Sequence, residues 1–329
     1  MEYLTNNTDL KKVADAIREK GGTSAALQYP DGFVAAIGEI TTGIELSLIV
    51  SVTSGSVVTA AKGATVISGT AVNNSCTLIV PEAGVWSVKA TRNGQTSNTV
   101  SVSVKDSYAL TLNFLKDNFA DNDWSAIIAA CHSGSVPSTW VVGNSKTMTI
   151  GGGSYQVDII GKNHDTYASG GKAPLTFQLH DCYADTKNMN SSNTNSGGWT
   201  SCAMRSTHLP AILALMPTEV QNGIREVNKL TSAGNKSSTI NTTADKLFLL
   251  SEVEIFGSTS YSAAGEGTQY DYYKAGNSKV KKRNGSAARW WGRSPAAIAS
   301  TYFCLIGSLG SADYDFAGTA YGVAFGFCF

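Results

Sequence analysis

Residues 289–295 read Arg289-Trp290-Trp291-Gly292-Arg293-Ser294-Pro295, and residues 322–329 read GVAFGFCF. After Gly292 the sequence contains no Asn, Lys, Gln, Glu, Met, Trp or His. The residues that do occur there are among those obtained when the adenines of an asparagine codon ending in a pyrimidine are randomised. This composition has two explanations: a segment that has been diversified, or a buried, aromatic-rich segment that excludes long polar side chains.

The segment that contains this stretch begins near residue 107 and is predicted to mix helices with strands. Asp123 or Asp121 can cap a helix from Trp124 to about His132. Pro210 and Thr218 are typical of two further helix starts. Strands are predicted at residues 146–150, 156–160, 175–179 and 247–255.

Residues 44–106 alternate between apolar and polar side chains over six or seven short runs separated by turn residues. This pattern predicts a small immunoglobulin-like sandwich with Trp86 in its core. Cys76 has no second cysteine within the segment, so the antibody-type disulfide is absent. The segment also has no histidine and no clustered acids, and we interpret it as a spacer.

Residues 1–43 predict two short helices, one from Asp9 to about Lys20 and one from Phe33 to Ile40. In the first helix one apolar stripe is expected, formed by Leu10, Val13, Ala14 and Ile17. Two helices of this size cannot hold a core alone. We interpret them as an attachment or oligomerisation segment, with an ordinary helical hairpin as the alternative.

The charge balance excludes some classes of function. The 329 residues include 25 Lys and Arg and 25 Asp and Glu, which argues against nucleic-acid binding by phosphate neutralisation and against polybasic membrane binding. No window of about 18 apolar residues occurs, so no membrane insertion is expected. The first residues lack the pattern of a secretory signal. Synthesis in a cytoplasm and release inside a particle freed by lysis would fit both this and the Ser-, Thr- and Asn-rich composition.

No catalytic residue, metal or cofactor is predicted. HExxH, GxSxG, P-loop and CxxC patterns are all missing. The dipeptides His164-Asp165 and His180-Asp181 would place their side chains on opposite faces of a strand. The six cysteines are expected to be buried free thiols, with a Cys304–Cys328 or Cys182–Cys202 bridge after release as the alternative. Residues 188–199 predict a polar loop, whose asparagine oxygens could instead hold a cation.

The 289–295 and 322–329 stretches resemble the WWLRSP and GVRP- or GVAP-type ends of C-type-lectin-fold proteins related to formylglycine-generating enzymes. Within that group the chain resembles the variable proteins that retroelements diversify in phages and bacteria, over about 107–329. Residues 10–37 are similar to a segment of phage tail and tail-fibre proteins, and residues 44–106 to their immunoglobulin-like spacers. Gly292 and Phe325 depart from the family, which usually has Leu and Pro there.

The resemblance implies a receptor-binding protein of a phage or prophage, located at the virion tail tip. Its parts would be an N-terminal helical segment (1–43), an immunoglobulin-like spacer (44–106) and a mixed α+β C-type-lectin-like domain (107–329). The implied partners are a bacterial surface protein or glycan, other tail proteins, and further copies of the chain, as a trimer. The enzymes of this fold use a cysteine pair, and their activity is not transferred here because no other motif residue is recognisable. The alternatives are a structural tail or baseplate subunit, or a formylglycine-generating-type enzyme.

The resemblance also divides residues 290–322 into framework and display positions. The framework positions are Trp290, Trp291, Arg293, Ser294, Phe303, Cys304, Ile306, Ser308, Gly310, Ala312 and Gly322. The candidate ligand-binding positions are Ala297, Ile298, Thr301, Tyr302, Leu305, Gly307, Leu309, Ser311, Asp313, Tyr314, Phe316, Gly318 and Tyr321. Display side chains are expected to be exposed, and odd-numbered positions from 305 to 313 to share one face of a strand.

Overall fold

The structure is a computed structural model that describes residues 7–21, 26, 31–39 and 46–329. The described chain is β-rich, with several sheets and few helices. It divides into two compact units, one of residues 1–94 and 100–112 and the other of residues 95–99 and 113–329. Among the described residues, no helix combines the length and apolarity needed to cross a bilayer.

Two helices are described near the N-terminus, α1 (Asn7–Gly21) and α2 (Asp31–Glu39). Their buried side chains form one small apolar cluster of Ala14, Ile17, Phe33 and Ala36. Both predicted helices are confirmed, but Val13 is exposed, so the buried stripe of α1 is narrower than expected. Ile40, the expected end of the second helix, lies outside the described residues.

Most strands of the N-terminal unit alternate more and less buried residues, as the sequence predicts, and Trp86 is fully buried. The strand at Ser107–Thr111 is an exception, because nearly all of its residues are exposed. One sheet has the order β4-β1-β8, and in the other β2 lies between β3 and β5, with β7 also on β5. The strands of this unit are β1 (Ser47–Ser51), β2 (Val57–Lys62), β3 (Thr65–Thr70), β4 (Ser75–Ile79), β5 (Gly84–Arg92), β7 (Val100–Val104) and β8 (Ser107–Thr111). The two-residue strand β6 (Gln95–Thr96) belongs to the segment 95–99, which is part of the second unit. Because β8 pairs in parallel with β1, residues 107–112 lie in this unit and not after its boundary.

The second unit contains the remaining elements. Its helices are α3 (Trp124–His132), α4 (Gly198–Ser201), α5 (Leu209–Leu213), α6 (Thr218–Gly223), α7 (Glu252–Phe256) and α8 (Asp271–Lys274), with a 3-10 turn at Phe119–Asp121 and a π turn at Met204–His208. Its strands are β9 (Ser145–Ile150), β10 (Gly153–Lys162), β11 (Leu175–Leu179), β12 (Val227–Ser232), β13 (Ile240–Asp245), β14 (Leu247–Phe248), β15 (Lys281–Arg283), β16 (Ser286–Ala288), β17 (Trp290–Pro295), β18 (Tyr302–Ile306), β19 (Ala312–Phe316) and β20 (Gly326–Cys328).

A five-stranded sheet with the order β14-β20-β11-β10-β9 supplies much of the hydrophobic core of this unit. Residues 322–329 are all buried, and the ring of Phe327 stacks on that of Phe177 with centroids 5.3 Å apart. This part of the chain therefore fits the explanation that a buried aromatic segment excludes long polar residues.

The strand predicted at residues 247–255 is wrong. The chain forms only the two-residue strand β14 there and then turns into α7. Ser251 accepts a hydrogen bond from the backbone N–H of Glu254, and the Glu254 carboxylate accepts one from the backbone N–H of Ser251. This reciprocal cap starts a helix inside an apolar run that reads as a strand.

Strands β17, β18 and β19 form a separate antiparallel sheet, and an irregularity interrupts β17 after Trp291. Gly292 lies in this irregularity and is buried. A Cβ atom there would lie 3.1 Å from the carbonyl oxygen of Leu250 and 3.3 Å from that of Cys304. A leucine, which the resembling sequences have at this place, would therefore require the backbone to move.

Candidate functional site

One face of the β17–β18–β19 sheet presents a group of aromatic side chains. Tyr302 lies directly opposite Phe316 in the ladder, and Tyr314 lies two residues from Phe316, so all three share a face. Their ring centroids are 4.7 Å apart for Tyr302 and Phe316 and 5.1 Å apart for Tyr302 and Tyr314. Tyr261 contacts Tyr314 at 4.8 Å. We call Tyr261, Tyr302, Tyr314 and Phe316 the aromatic patch; Phe316 is exposed and the tyrosines are half-buried.

The alternate residues of β19 carry charge. Arg289 donates hydrogen bonds to Asp313 at 2.5 Å and to Asp315 at 3.4 Å. The Tyr321 hydroxyl donates to Asp315 at 2.5 Å and accepts from Arg289 at 3.1 Å. Asp313 and Tyr321 are therefore half-buried members of one ion-pair network, and their contact with a ligand would compete with Arg289.

The loops at the two ends of β18 carry the most exposed candidates. Leu309, in the turn between β18 and β19, is 90 % exposed, and Ile298 is 51 % exposed. Ala297, Ser311 and Gly318 are also exposed, and Thr301 is half-buried. Six of the candidate positions are therefore exposed as expected, and five others are only half-buried: Thr301, Tyr302, Asp313, Tyr314 and Tyr321.

Leu305 and Gly307 are exceptions, and the expectation that they are exposed is wrong. Leu305 is 1 % exposed because it belongs to the buried centre of β18. Strand β18 ends at Ile306, so residues 307–311 form a turn and the expected alternation over 305–313 stops there. Among the framework positions, Ser308, Gly310 and Ala312 are half-buried, and the others are buried as expected.

Asn195 supports the loop between β17 and β18. Its side-chain amide donates to the carbonyl oxygens of Ala299 and Tyr302, at 2.8 Å each, and of Ala296 at 3.3 Å. Its Oδ1 accepts from the backbone N–H of Asn235 at 2.7 Å. The buried side chain of Asn195 therefore holds the loop that carries Ala297 and Ile298 through hydrogen bonds to its backbone.

Asn195→Ala is expected to cost about 2 kcal/mol of stability, because the carbonyl groups of Ala296 and Ala299 and the backbone N–H of Asn235 lose the side-chain partner that they have in the structure. Urea unfolding would measure the loss. Asn193→Ala is the control from the same polar loop, since Asn193 is exposed and accepts a single hydrogen bond, from Gly318. Equal stability of the two variants would contradict this role of Asn195.

A buried ion network lies against β17. The Arg293 guanidinium contacts Glu254, and the Lys229 ammonium lies 2.8 Å from Glu254 and 2.7 Å from Asp165. Burial alone would raise the pKa of both carboxyls. The charges of Lys229 and Arg293 outweigh it for Glu254, and that of Lys229 for Asp165, so both pKa values lie below their usual range. Glu266, whose Oε2 has no partner among the described residues, has its pKa raised by burial to about 7.

Two histidines contact aspartates in ways that the sequence does not predict. His180 contacts Asp158 of β10, with Nδ1 and Oδ2 2.7 Å apart, and not its neighbour Asp181. His164 and Asp165 do not point apart, since Nδ1 lies 3.6 Å from the carboxylate. His164 and Asp165 do not lie on opposite faces of a strand, because both residues follow the end of β10 in a bend.

The cysteines and the polar loop show no site for a metal. All six cysteines are free and buried, as expected, and burial raises the pKa of the Cys304 thiol well above its usual range. In the loop predicted as an alternative cation site, the side-chain oxygens of Asn190 and Asn195 accept backbone N–H groups, of Ala203 and Asn235. Within residues 7–21, 26, 31–39 and 46–329, no three His, Cys, Asp or Glu side chains group as metal ligands would.

Comparisons with known proteins say little about function. Residues 175–327, which include β11 and the β17–β18–β19 sheet, match the model of a domain of unknown function, DUF6273. A search of curated proteins found no match. Among solved structures, the chain is similar to a DUF4876 family protein from Bacteroides thetaiotaomicron VPI-5482, with 9 % identity over 46 % of this chain and 37 % of that chain. The TM-score of 0.16 is too low to carry an argument about fold, and the match spans well under two thirds of that protein.

Proposed function

We propose that the chain is a phage or prophage tail receptor-binding protein whose C-terminal unit binds a bacterial surface ligand. The binding surface would be the aromatic patch together with the exposed loop residues Ala297, Ile298 and Leu309, which we call the display face. The observation that carries the proposal is the cluster of four partly exposed aromatic rings, because soluble proteins rarely expose such clusters unless they bind something.

The support beneath the patch favours a binding role. Trp290, Trp291 and Arg293 of β17 are fully buried, so the sheet that carries the rings is anchored in the core of the second unit. Surface side chains on a rigid scaffold can be exchanged without unfolding it. Tyrosine and phenylalanine also give a large contact area for little loss of side-chain entropy.

Exposed positions between residues 297 and 321 help to decide why the stretch after Gly292 lacks long polar side chains. Burial explains why residues 322–329 lack long polar side chains, but it does not explain the same lack at exposed positions such as Ile298, Leu309 and Phe316. This difference supports the proposal that the exposed candidate positions between residues 297 and 321 are diversified, as in the variable proteins that the sequence resembles.

The rest of the assignment follows the same resemblance. The proposed C-terminal domain has a C-type-lectin-like fold, the N-terminal unit contains an immunoglobulin-like spacer, and residues 1–43 attach the protein to other tail proteins or to two further copies. A formylglycine-generating-type enzyme is less well supported, because a buried thiol with a raised pKa, as at Cys304, is a poor nucleophile. A structural baseplate subunit would instead cover the display face with another tail protein.

Truncating the aromatic patch tests the proposal. We expect Phe316→Ala and Tyr302→Ala each to weaken binding of the purified full chain to host cells by about 1–4 kcal/mol, because a few aromatic side chains usually carry most of the binding energy. Cell binding would be measured by flow cytometry with labelled protein, on strains sensitive to the phage. Tyr108→Ala, an exposed tyrosine of the N-terminal unit, is the matched control and should bind as the parent does.

The outcomes separate the alternatives. Binding that survives both truncations would contradict the assignment of the display face. A parent chain that binds no cells but binds other tail proteins through the same residues would favour the structural subunit.

A further inference from the structure

A polar cleft of about 300 Å³ lies in the second unit and shares no residue with the display face. Its walls are the start of β10, the segment 180–184 that follows β11, and the turn of the β15–β16 hairpin. We call it the His180 cleft. Its volume is at the lower end of the range for small-molecule sites.

The imidazole of His180 is the group most clearly prepared for a ligand. Its Nδ1 is 2.7 Å from the carboxylate of Asp158, which is only 4 % exposed. This contact fixes the ring and leaves Nε2 as the nitrogen that can meet a ligand. Among the described residues, Nε2 has no protein partner. A ring oriented by a buried carboxylate, with its other nitrogen free, is a positioned donor when the ring is charged.

The charges around the cleft favour an anion. Lys282 lines it, and Lys281 lies behind it, buried, donating to the carbonyl oxygens of Leu179 and His180. Asp158 is balanced by His180, and Asp181 accepts the backbone N–H of Lys282. With His180 protonated, these three cationic groups outnumber the two carboxylates.

Neutral polar groups and an aromatic wall complete the cleft. Ser154 and Asn284 line it, and within the described part of the chain their side chains have no hydrogen-bond partner. The side-chain N–H of Gln156 donates to Ser145, which leaves its carbonyl oxygen free to accept. The ring of Tyr155 stacks on Tyr183 with centroids 5.4 Å apart and forms a flat, rigid surface.

We propose that the His180 cleft binds a small hydroxylated anion, an acidic sugar carrying a carboxylate or phosphate group. His180 Nε2 and Lys282 Nζ would bind the anionic group. Ser154, Gln156 and Asn284 would bind hydroxyl groups, and the sugar ring would lie against Tyr155. Charged donors supply most of the affinity, since hydrogen bonds between charged groups are about twice as strong as neutral ones.

Affinity should depend on pH with a definite sign. The hydrogen bond that His180 Nδ1 donates to Asp158 raises the pKa of His180. Burial and the charge of Lys281 oppose the rise, and the charges of Asp158 and Asp181 add to it. The protonated imidazole is the form that binds an anion. Affinity is therefore greatest below this raised pKa and falls as the pH increases through it, while binding of a neutral sugar stays constant.

Isothermal titration calorimetry of the full chain with glucuronate, glucose 6-phosphate and glucose measures the three affinities and tests the proposal. At pH 6, at least one of the two anions should bind about tenfold or more tightly than glucose, and comparing the two distinguishes a carboxylate from a phosphate ligand. His180→Gln and Lys282→Gln should each weaken anion binding by about tenfold, since each removes one charged contact. His208→Gln is the matched control, because His208 hydrogen-bonds Asn188 and lies outside the cleft.

Several results would overturn the proposal: no binding of either anion, equal binding of glucose, or anion affinity that is unchanged in Lys282→Gln. Melting temperatures of all variants verify folding, and Lys282→Gln decides the matter if His180→Gln is unstable, because Lys282 is exposed. Binding of the anions in the His180 cleft does not depend on whether the display face binds cells, so either proposal can fail without the other.

Discussion

Arg293→Met is expected to lower the free energy of unfolding by about 3–5 kcal/mol, the usual cost of breaking a buried ion pair by removing one partner. Arg293 is fully buried and contacts Glu254, the carbonyl oxygens of Leu249 and Glu266, and the hydroxyl of Thr231. Methionine fills much of the same volume, so the loss reports charge and hydrogen bonds more than a cavity. Urea unfolding followed by tryptophan fluorescence would measure it.

The matched control is Arg289→Met. Arg289 also contacts two aspartates next to the same sheet, but its side chain is 41 % exposed, and exposed ion pairs contribute about 0–1 kcal/mol. In Arg293→Met alone, Lys229 faces the carboxylates of both Asp165 and Glu254, so one buried negative charge is not balanced. Adding Glu254→Gln removes that charge, leaves Lys229 with Asp165 only, and should recover part of the lost stability. A small effect of Arg293→Met, no larger than that of Arg289→Met, would contradict the structural role of the network.

Trp290→Ala is expected to cost about 3–5 kcal/mol as a large-to-small change in the core. The indole is fully buried, its Nε1 donates to the carbonyl oxygen of Lys279 at 3.0 Å, and the ammonium of Lys281 lies 5.4 Å from the ring centroid. The same unfolding experiment measures the loss.

Phe316→Ala, which removes a partly exposed ring on the same sheet, is the comparison and should change stability by less than about 1 kcal/mol. Comparing the stability of the two variants also tests whether the aromatic patch is part of the surface or of the core. If Phe316→Ala unfolds the protein as readily as Trp290→Ala, the aromatic patch belongs to the core and the proposed function loses its main support.

Local sequence signals predicted local structure well. Asp123, one of two candidate caps, stands at the N-terminus of α3 as predicted, although its side chain makes no capping hydrogen bond. The alternation in residues 46–52 predicted the burial of Leu48, Val50 and Val52, but Ser47 is also buried. The prediction failed at residues 247–255, where an apolar run suits both a strand and a buried helix. The cap formed by Ser251 and Glu254 was the signal that could have decided between them.

Contacts between distant residues could not be predicted. Asp158 lies in β10 and His180 follows the end of β11, and no pattern in one sequence relates them. The same holds for Asn195, which supports a loop about 100 residues later. Tyr302, Tyr314 and Phe316 were expected to be exposed only because of the resemblance. The same reasoning gave Leu305 as exposed, and it was wrong because the sequence does not tell which face of β18 is covered.

The position of β20 has a consequence for how the protein folds. This strand, Gly326–Cys328, lies between β14 and β11, and its partner Thr176 is 152 residues away from Cys328 along the chain. Pairings over such distances are slow to form, because loop-closure entropy is lost before the contacts stabilise the sheet. On the ribosome, β9, β10 and β11 emerge well before β20, so β11 is left with an open edge during synthesis. The C-terminal unit is therefore expected to fold only after β20 has left the ribosome, and a nascent chain held before that point should aggregate or require a chaperone.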